Sequence, residues 1–305
     1  MAASSLEYIH PKSQSFLSRL IKTFLVVARQ KGHLGRQLSD LEKFKNDPAP
    51  VPKSVQKTCT VKEESFAGRV LWTLGPKEGT SPKAIFYIHG GGYVFNMAGI
   101  QWNYLAKVVK ETQATIMVTN YPLAPQSNVE AALAYLTELY PVFLNRYKGN
   151  EVFFLADSAG GGLAISFAQH CTEIDLPQPQ EIILSSPWLD VSMTNPDIQS
   201  VIPKDKALEI TSLQKAGKLF AGDLDTKDPK VSPIYGRFDN IARISMFMGT
   251  AELFVSDARK LVARLKRENI HFNYYEYPKM IHCWLLIGMP EGKVAFGQII
   301  DLIKQ

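Results

Sequence analysis

Two periodicities alternate along the chain. Short runs dense in β-branched and aromatic residues stand at 55–62, 68–74, 84–89, 114–120, 152–157, 181–185, 243–249 and 271–277. Such runs read as strands, because these side chains pack well on a pleated surface. From the third run onward, apolar residues recur at three- and four-residue intervals over 101–111, 130–146, 160–171, 257–268 and 291–304. That spacing lines one face of a helix. Strands alternating with helices imply βαβ units and a largely parallel sheet covered on both faces. The expected fold class is therefore α/β, with eight strands, of which the first two, separated by a short turn, form an antiparallel pair.

Two stretches stand outside this alternation. Near the start, Phe16, Leu17, Leu20, Ile21, Phe24, Leu25, Val27 and Ala28 recur at helical spacing opposite Ser18, Arg19, Lys22 and Thr23. An amphipathic helix of this kind serves as a lid, touches a membrane, or packs on its own protein, and the last is the expectation here. The Pro-rich "NDPAPVPKS" at 46–54 then reads as a linker, which makes residues 1–50 an appendage to a main domain over 51–305. The second stretch is the gap from 186 to 242, much longer than an ordinary connection. It carries its own helical segment, "SLQKAGKLFAG" at 212–222. An insertion at about 193–235 is expected to fold with the N-terminal segment into one helical cap.

Composition narrows the function classes. With 305 residues and 46% hydrophobic content, the chain can bury a full core. The 34 basic and 29 acidic residues, net +5, are scattered and form no arm or tract, which argues against a nucleic-acid partner. The densest cluster, "RKLVARLKRE" at 259–268, reads as a solvated helix face. Cys59, Cys171 and Cys283 have no metal-ligand spacing and are too few for a disulfide framework, so a reducing cytoplasm is the natural setting. The start "MAASSLEYIHPKSQ" lacks the basic opening and apolar core of a signal peptide, and "FLVVA" is far short of a bilayer span. A soluble protein is expected.

In open parallel sheets, functional groups collect at the carboxyl ends of strands. After the third run comes "HGGGY", His89 to Tyr93. Each glycine forgoes about 1 kcal/mol relative to alanine in a regular element, so the loop is either a plain turn or a place where bare backbone must point N–H groups at a developing oxyanion. After the fifth run, Asp157-Ser158-Ala159-Gly160 leads into a helix. This is either a Ser-initiated helix or a nucleophile elbow, in which Ala156 stands where the G-x-S-x-G pattern begins with glycine. After the seventh run, "TAELFVSDA" offers Glu252 and Asp257; after the eighth, "YPKMIHCW" offers His282. A serine hydroxyl needs a base, and the base needs an acid to fix its tautomer. The order Ser158, then Glu252 or Asp257, then His282 suits this architecture. His10, His33, His170 and His271 read as structural or solvated.

Four such sites in order on one sheet, with "HGGGYVFN", "NYPLAPQ" (120–126), "DSAGG" (157–161), "SPWLDVS" (186–192), "DPKVSP" and "MIHCW", resemble the hormone-sensitive-lipase-like esterases of the α/β-hydrolase superfamily. The resemblance spans residue 55 to the end. It implies an α/β-hydrolase fold with a small helical cap, Ser158 as nucleophile and His282 as general base. It also implies the N–H groups of Gly91, Gly92 and Ala159 as oxyanion donors, with His89 bracing the loop. Two departures stand out: Ala156 in the elbow, and an acid usually written Asp. Glu252 directly follows the strand and lies at the family's interval before His282, whereas Asp257 begins the next helix, so Glu252 is the preferred acid. Asp190 of "PWLD" is read as structural.

The resemblance implies a serine carboxylesterase that hydrolyses small, short-acyl esters with no cofactor and no metal. The competing function is a non-catalytic small-molecule receptor on the same fold. Membrane contact is not expected, and a homodimer is compatible with the chain.

Overall fold

The computed structural model describes residues 5–12, 14–27, 32–39 and 47–305. Ala28 and the side chains of Leu25 and Val27, three positions of the first amphipathic stretch, lie outside what it describes. Nine strands are present among the described residues: β1 (Leu6–Ile9), β2 (Cys59–Phe66), β3 (Arg69–Pro76), β4 (Lys83–Ile88), β5 (Thr115–Val118), β6 (Glu151–Asp157), β7 (Glu181–Ser185), β8 (Arg243–Gly249) and β9 (Phe272–Tyr277). They form one sheet in the order β1-β9-β8-β7-β6-β4-β5-β3-β2. Every pairing is parallel except β2 with β3 and β3 with β5.

The central strands are apolar on both faces, as a doubly covered sheet requires. Phe86, Phe154, Ile182 and Met246 point to one side, where α5 (Val129–Arg146), α6 (Ser158–Glu173) and α8 (Val255–Arg267) contribute Leu136, Phe167 and Leu261. Ile85, Phe153, Ile183 and Phe247 point to the other, covered by Trp102 and Val109 of α4 (Gly99–Thr112) and by Ile299 of α9 (Pro290–Lys304). The one-residue offset between these sets is the period-two alternation of a strand.

Three expectations are corrected. The sheet has nine strands, not eight. The additional one, β1, lies in the segment read as appendage and joins the sheet edge by pairing with β9. Its residues are exposed or half-exposed, so burial leaves no alternation to detect, and backbone pairing alone defines it. Residues 55–58, read as strand, belong instead to a short helix, α3 (Lys53–Thr58). Val55 is its buried position, and Cys59, buried four residues on, begins β2. Finally, α1 (Phe16–Val27) leaves the described part of its apolar side largely exposed, with Ile21 half-buried against the core. Its first turn is tied down by polar groups: Ser15 N donates to Glu291 Oε1 at 2.5 Å, and the Ser18 hydroxyl donates to Glu291 Oε2. Ser18 is fully buried, while Phe16, Leu17, Leu20 and Phe24 are at least half exposed.

The short α2 (His33–Gln37) packs against α7 (Ile210–Ala221), the helix of the long insertion. Lys215 Nζ donates to the Leu38 carbonyl at 2.5 Å, joining the two segments above the carboxyl ends of the strands.

Candidate active site

The strand β6 stops at Asp157 and α6 starts at Ser158, with no connecting residue between them. So abrupt a reversal puts Ser158 at φ 52, in the left-handed region, which costs a non-glycine residue strain and is typical of functional turns. The turn closes because Gly160 lies against the backbone of Ile88 and His89, where a Cβ would collide with both carbonyls. Gly161 and Gly162 are similarly pressed on Pro187 and Trp188. Ala156 meets no such limit. It sits in register between Ile88 and Leu184 with its methyl in the core. The glycine this elbow needs is therefore the one after the serine.

Ser158 Oγ lies 2.8 Å from His282 Nε2, and His282 Nδ1 lies 2.8 Å from Glu252 Oε2. A carboxylate only accepts, so Nδ1 carries the proton and Nε2 is free to accept from the serine hydroxyl. Glu252 is fully buried, and its other oxygen accepts from Gly249 N at 2.7 Å and from the Ser186 hydroxyl at 2.9 Å. The Phe254 ring meets the imidazole edge-on, centroids 5.1 Å apart. Burial raises the Glu252 carboxyl pKa, against the pull of these three donors. Burial also works against the His282 imidazolium, but Cys283 at 3.4 Å and the Glu252 carboxylate outweigh it and hold its pKa well above the ordinary 6.5. Since burial pushes the Cys283 thiol up as well, Glu252 supplies the stabilising charge.

Asp257 goes elsewhere. Its Oδ1 accepts from Asn195 Nδ2 at 2.9 Å, Oδ2 has no partner among the described residues, and burial pushes the carboxyl up to about 7. Asp190 is held by Ser192 and by the Tyr235 hydroxyl at 2.6 Å.

The glycine loop faces the elbow. Gly91 and Gly92 have φ of 134° and 62°, and a Cβ on Gly91 would collide with the Phe95 carbonyl. Among the described residues, the N–H groups of Gly91, Gly92 and Ala159 have no acceptor. His89 is buried behind them, its Nδ1–H donating to the Gly90 carbonyl at 2.8 Å and its ring stacked on Tyr121, centroids 4.6 Å apart. Burial lowers its pKa to about 4, so it is neutral.

Sequence reasoning passes over three residues that hold this arrangement. Asp157 accepts from Gly90 N at 3.2 Å, from the Tyr87 hydroxyl and from Gln101 Nε2 at 3.1 Å. Gln101 Nε2 also reaches the Gly90 carbonyl at 3.4 Å, and Ser186 supports Glu252. Asp157 had a signal, a charge closing the apolar run "VFFLAD"; Gln101 and Ser186 had none. His33, read as structural or solvated, is exposed and also borders the cavity.

That cavity encloses about 360 Å³ above Ser158 and His282, with Leu34, Phe95, Ile100, Leu208, Leu213 and Leu286 as apolar walls. Leu34 lies on α2 and Leu213 on α7, so both appended segments help roof it. Among the described residues, no group of three or more His, Cys, Asp or Glu side chains could hold a metal ion.

Comparison with known proteins bears on the fold and the family. A family model described as the alpha/beta hydrolase fold matches residues 85–286. An esterase of Acinetobacter venetianus is 24% identical over 228 residues, covering 73% of this chain and 75% of that protein. An acetyl-hydrolase of Streptomyces hygroscopicus is 23% identical over 216 residues, covering 70% and 72%. The crystal structure of an esterase from the bacterial hormone-sensitive lipase family superposes with a TM-score of 0.80 at 18% identity, covering 96% of this chain and 99% of that one.

Proposed function

The chain belongs to the alpha/beta hydrolase fold family, and from that premise we propose that it is a serine carboxylesterase acting on small, short-acyl esters through an acyl-enzyme. The observation that carries this reading is the unbroken line from Glu252 through His282 to Ser158, at 2.8 Å per step, ending on the cavity floor.

In this mechanism the Ser158 hydroxyl attacks the ester carbonyl while His282 Nε2 takes its proton. Glu252 holds the Nδ1–H tautomer and stabilises the imidazolium that forms. Negative charge moves to the carbonyl oxygen, where the unengaged N–H groups of Gly91, Gly92 and Ala159 are available to it; such donors act where charge develops and need no reorganisation. The imidazolium returns its proton to the leaving alcohol. Water then enters, His282 deprotonates it, and a second tetrahedral intermediate collapses to release the acid and restore the serine.

The cavity volume suits a small acyl or alcohol group enclosed by aliphatic walls. We assign the cap role to α2 and the 193–235 insertion, and the three unpaired cysteines fit a cytoplasmic setting. The receptor alternative has no use for a complete Ser–His–Glu line. Hydrolysis of p-nitrophenyl acetate by the wild type, with loss of about 10³-fold or more in Ser158→Ala, tests the assignment. Equal inertness of both proteins, with ligand still bound, would hand the site to the receptor reading.

A further inference from the structure

The helix α1 is mounted inside out. Phe16, Leu17, Leu20 and Phe24 are 70%, 51%, 50% and 68% exposed, at spacings that set them along one side of the helix. The opposite side is bolted to the protein through Ser15, Ser18 and Glu291 and through Lys22, whose ammonium donates to the Lys279 carbonyl at 3.2 Å. A monomer rarely keeps four large apolar side chains contiguous in water without a use for them. The helix has 12 residues, a length of about 18 Å, so it cannot cross a hydrocarbon core of about 30 Å. It can lie along one.

A second, independent feature adjoins it. Lys22 is also a wall of a cavity of about 590 Å³ that it shares with Lys204, Lys206, Arg259 and Lys279, besides Ser200 and Thr250. Arg259 is engaged bidentately by Glu276, at 2.8 and 2.7 Å. The nearby Asp205 carboxylate is taken up by the backbone N–H groups of Ala207, Leu208 and Leu253. Burial first, then Lys206 and Lys279, lower the Lys22 pKa, with Asp205 pulling the other way. The site lies beside the helix, and Thr250, Ala251 and Lys279 of its wall belong to the loops that carry Glu252 and His282.

We propose that α1 and the Lys22–Lys204–Lys206–Lys279 cavity together form a docking surface for an anionic lipid bilayer, the apolar stripe entering the interface and the cavity receiving headgroup phosphates. Apolar insertion and basic attraction are each weak alone, and stable peripheral attachment takes two such signals. The two features meet at Lys22, which belongs to both the helix and the cavity wall. It reverses the expectation that the helix packs its apolar face inward, and it is independent of the esterase assignment.

Vesicle co-sedimentation of the full chain tests it, with phosphatidylcholine alone and with phosphatidylcholine mixed with phosphatidylglycerol. The full chain should pellet with the mixed vesicles, not with the neutral ones, and less as salt is raised. The double variant Leu20→Asp/Phe24→Asp and the double variant Lys204→Glu/Lys206→Glu should each lose about tenfold or more in binding. Both should keep wild-type p-nitrophenyl acetate hydrolysis, which verifies folding. Three results would overturn the proposal: a wild type that ignores both vesicle types; a wild-type dimer that Leu20→Asp/Phe24→Asp splits while vesicles remain unbound; or binding of inorganic phosphate without binding of vesicles.

Discussion

At Ser158 the chain accepts a left-handed backbone, φ 52, and the residues around it show what makes that tolerable. Gly160 supplies the close approach to Ile88 and His89, while Ala156 fills core space like any strand residue. The base and acid follow the same logic of enforced position, since Glu252 has both oxygens occupied by named donors. Replacing Glu252 by Ala should lower kcat for p-nitrophenyl acetate by about 10³- to 10⁴-fold, whereas Asp257→Ala should leave kcat near wild type, because Asp257 touches Asn195 and not His282. The reverse pattern would overturn the acid assignment. The pH dependence has a definite sign. Catalysis needs neutral His282, and its pKa lies above 6.5. The kcat/KM profile should therefore fall as pH drops through a value above 6.5, and in Glu252→Gln, which lacks the anionic partner, that limb should move toward lower pH.

Among elements, the loop after β4 and the start of α6 form one unit, clipped together by Asp157 and Gln101. Gln101 donates to both Asp157 and the Gly90 carbonyl, and its Oε1 accepts from Ala98 N at 2.8 Å. Because it orients the loop without being placed at the reacting atoms, Gln101→Ala should lower kcat by about tenfold, less than loss of an oxyanion donor itself. KM should change little, and Gln101→Glu should recover none of the loss, since a second carboxylate would face Asp157. This clip also marks where sequence reading ends. The strand runs, the helix spacings and the chemistry at their ends are legible, because burial writes periodicity and loops after parallel strands collect polar groups. Gln101 and Ser186 are not, since each sits far along the chain from the group it holds. Likewise α1 misleads: amphipathicity shows that a helix has two sides, but which side docks depends on Glu291, distant in sequence and invisible from residues 16–27.

For the whole molecule, Asp257 is a buried carboxyl with one oxygen that has no partner among the described residues. Its pKa rises from 3.8 unfolded to about 7 folded, so between those values the native state holds a proton that the unfolded state has lost, and stability falls as pH rises through this window. Asp257→Asn should remove that loss, raising Tm by a few degrees at pH 8 with the gain shrinking toward pH 4; an equal gain at every pH would reject the titration account. The sheet itself has an unusual boundary. β1 closes the edge of β9 in parallel register, and Phe272 N donates to Ser5 Oγ across 267 residues of chain. During synthesis β1 cannot pair until β9, far downstream in the chain, has emerged. Until then the N-terminal segment has no sheet to join, and the unpaired edge of β9 exists only for the interval between its own emergence and the return of β1. Closure of this sheet edge therefore waits on β9, and the apolar stripe of α1, which follows β1 within the same segment, reaches its outward station only after Glu291, which anchors the helix, has been made.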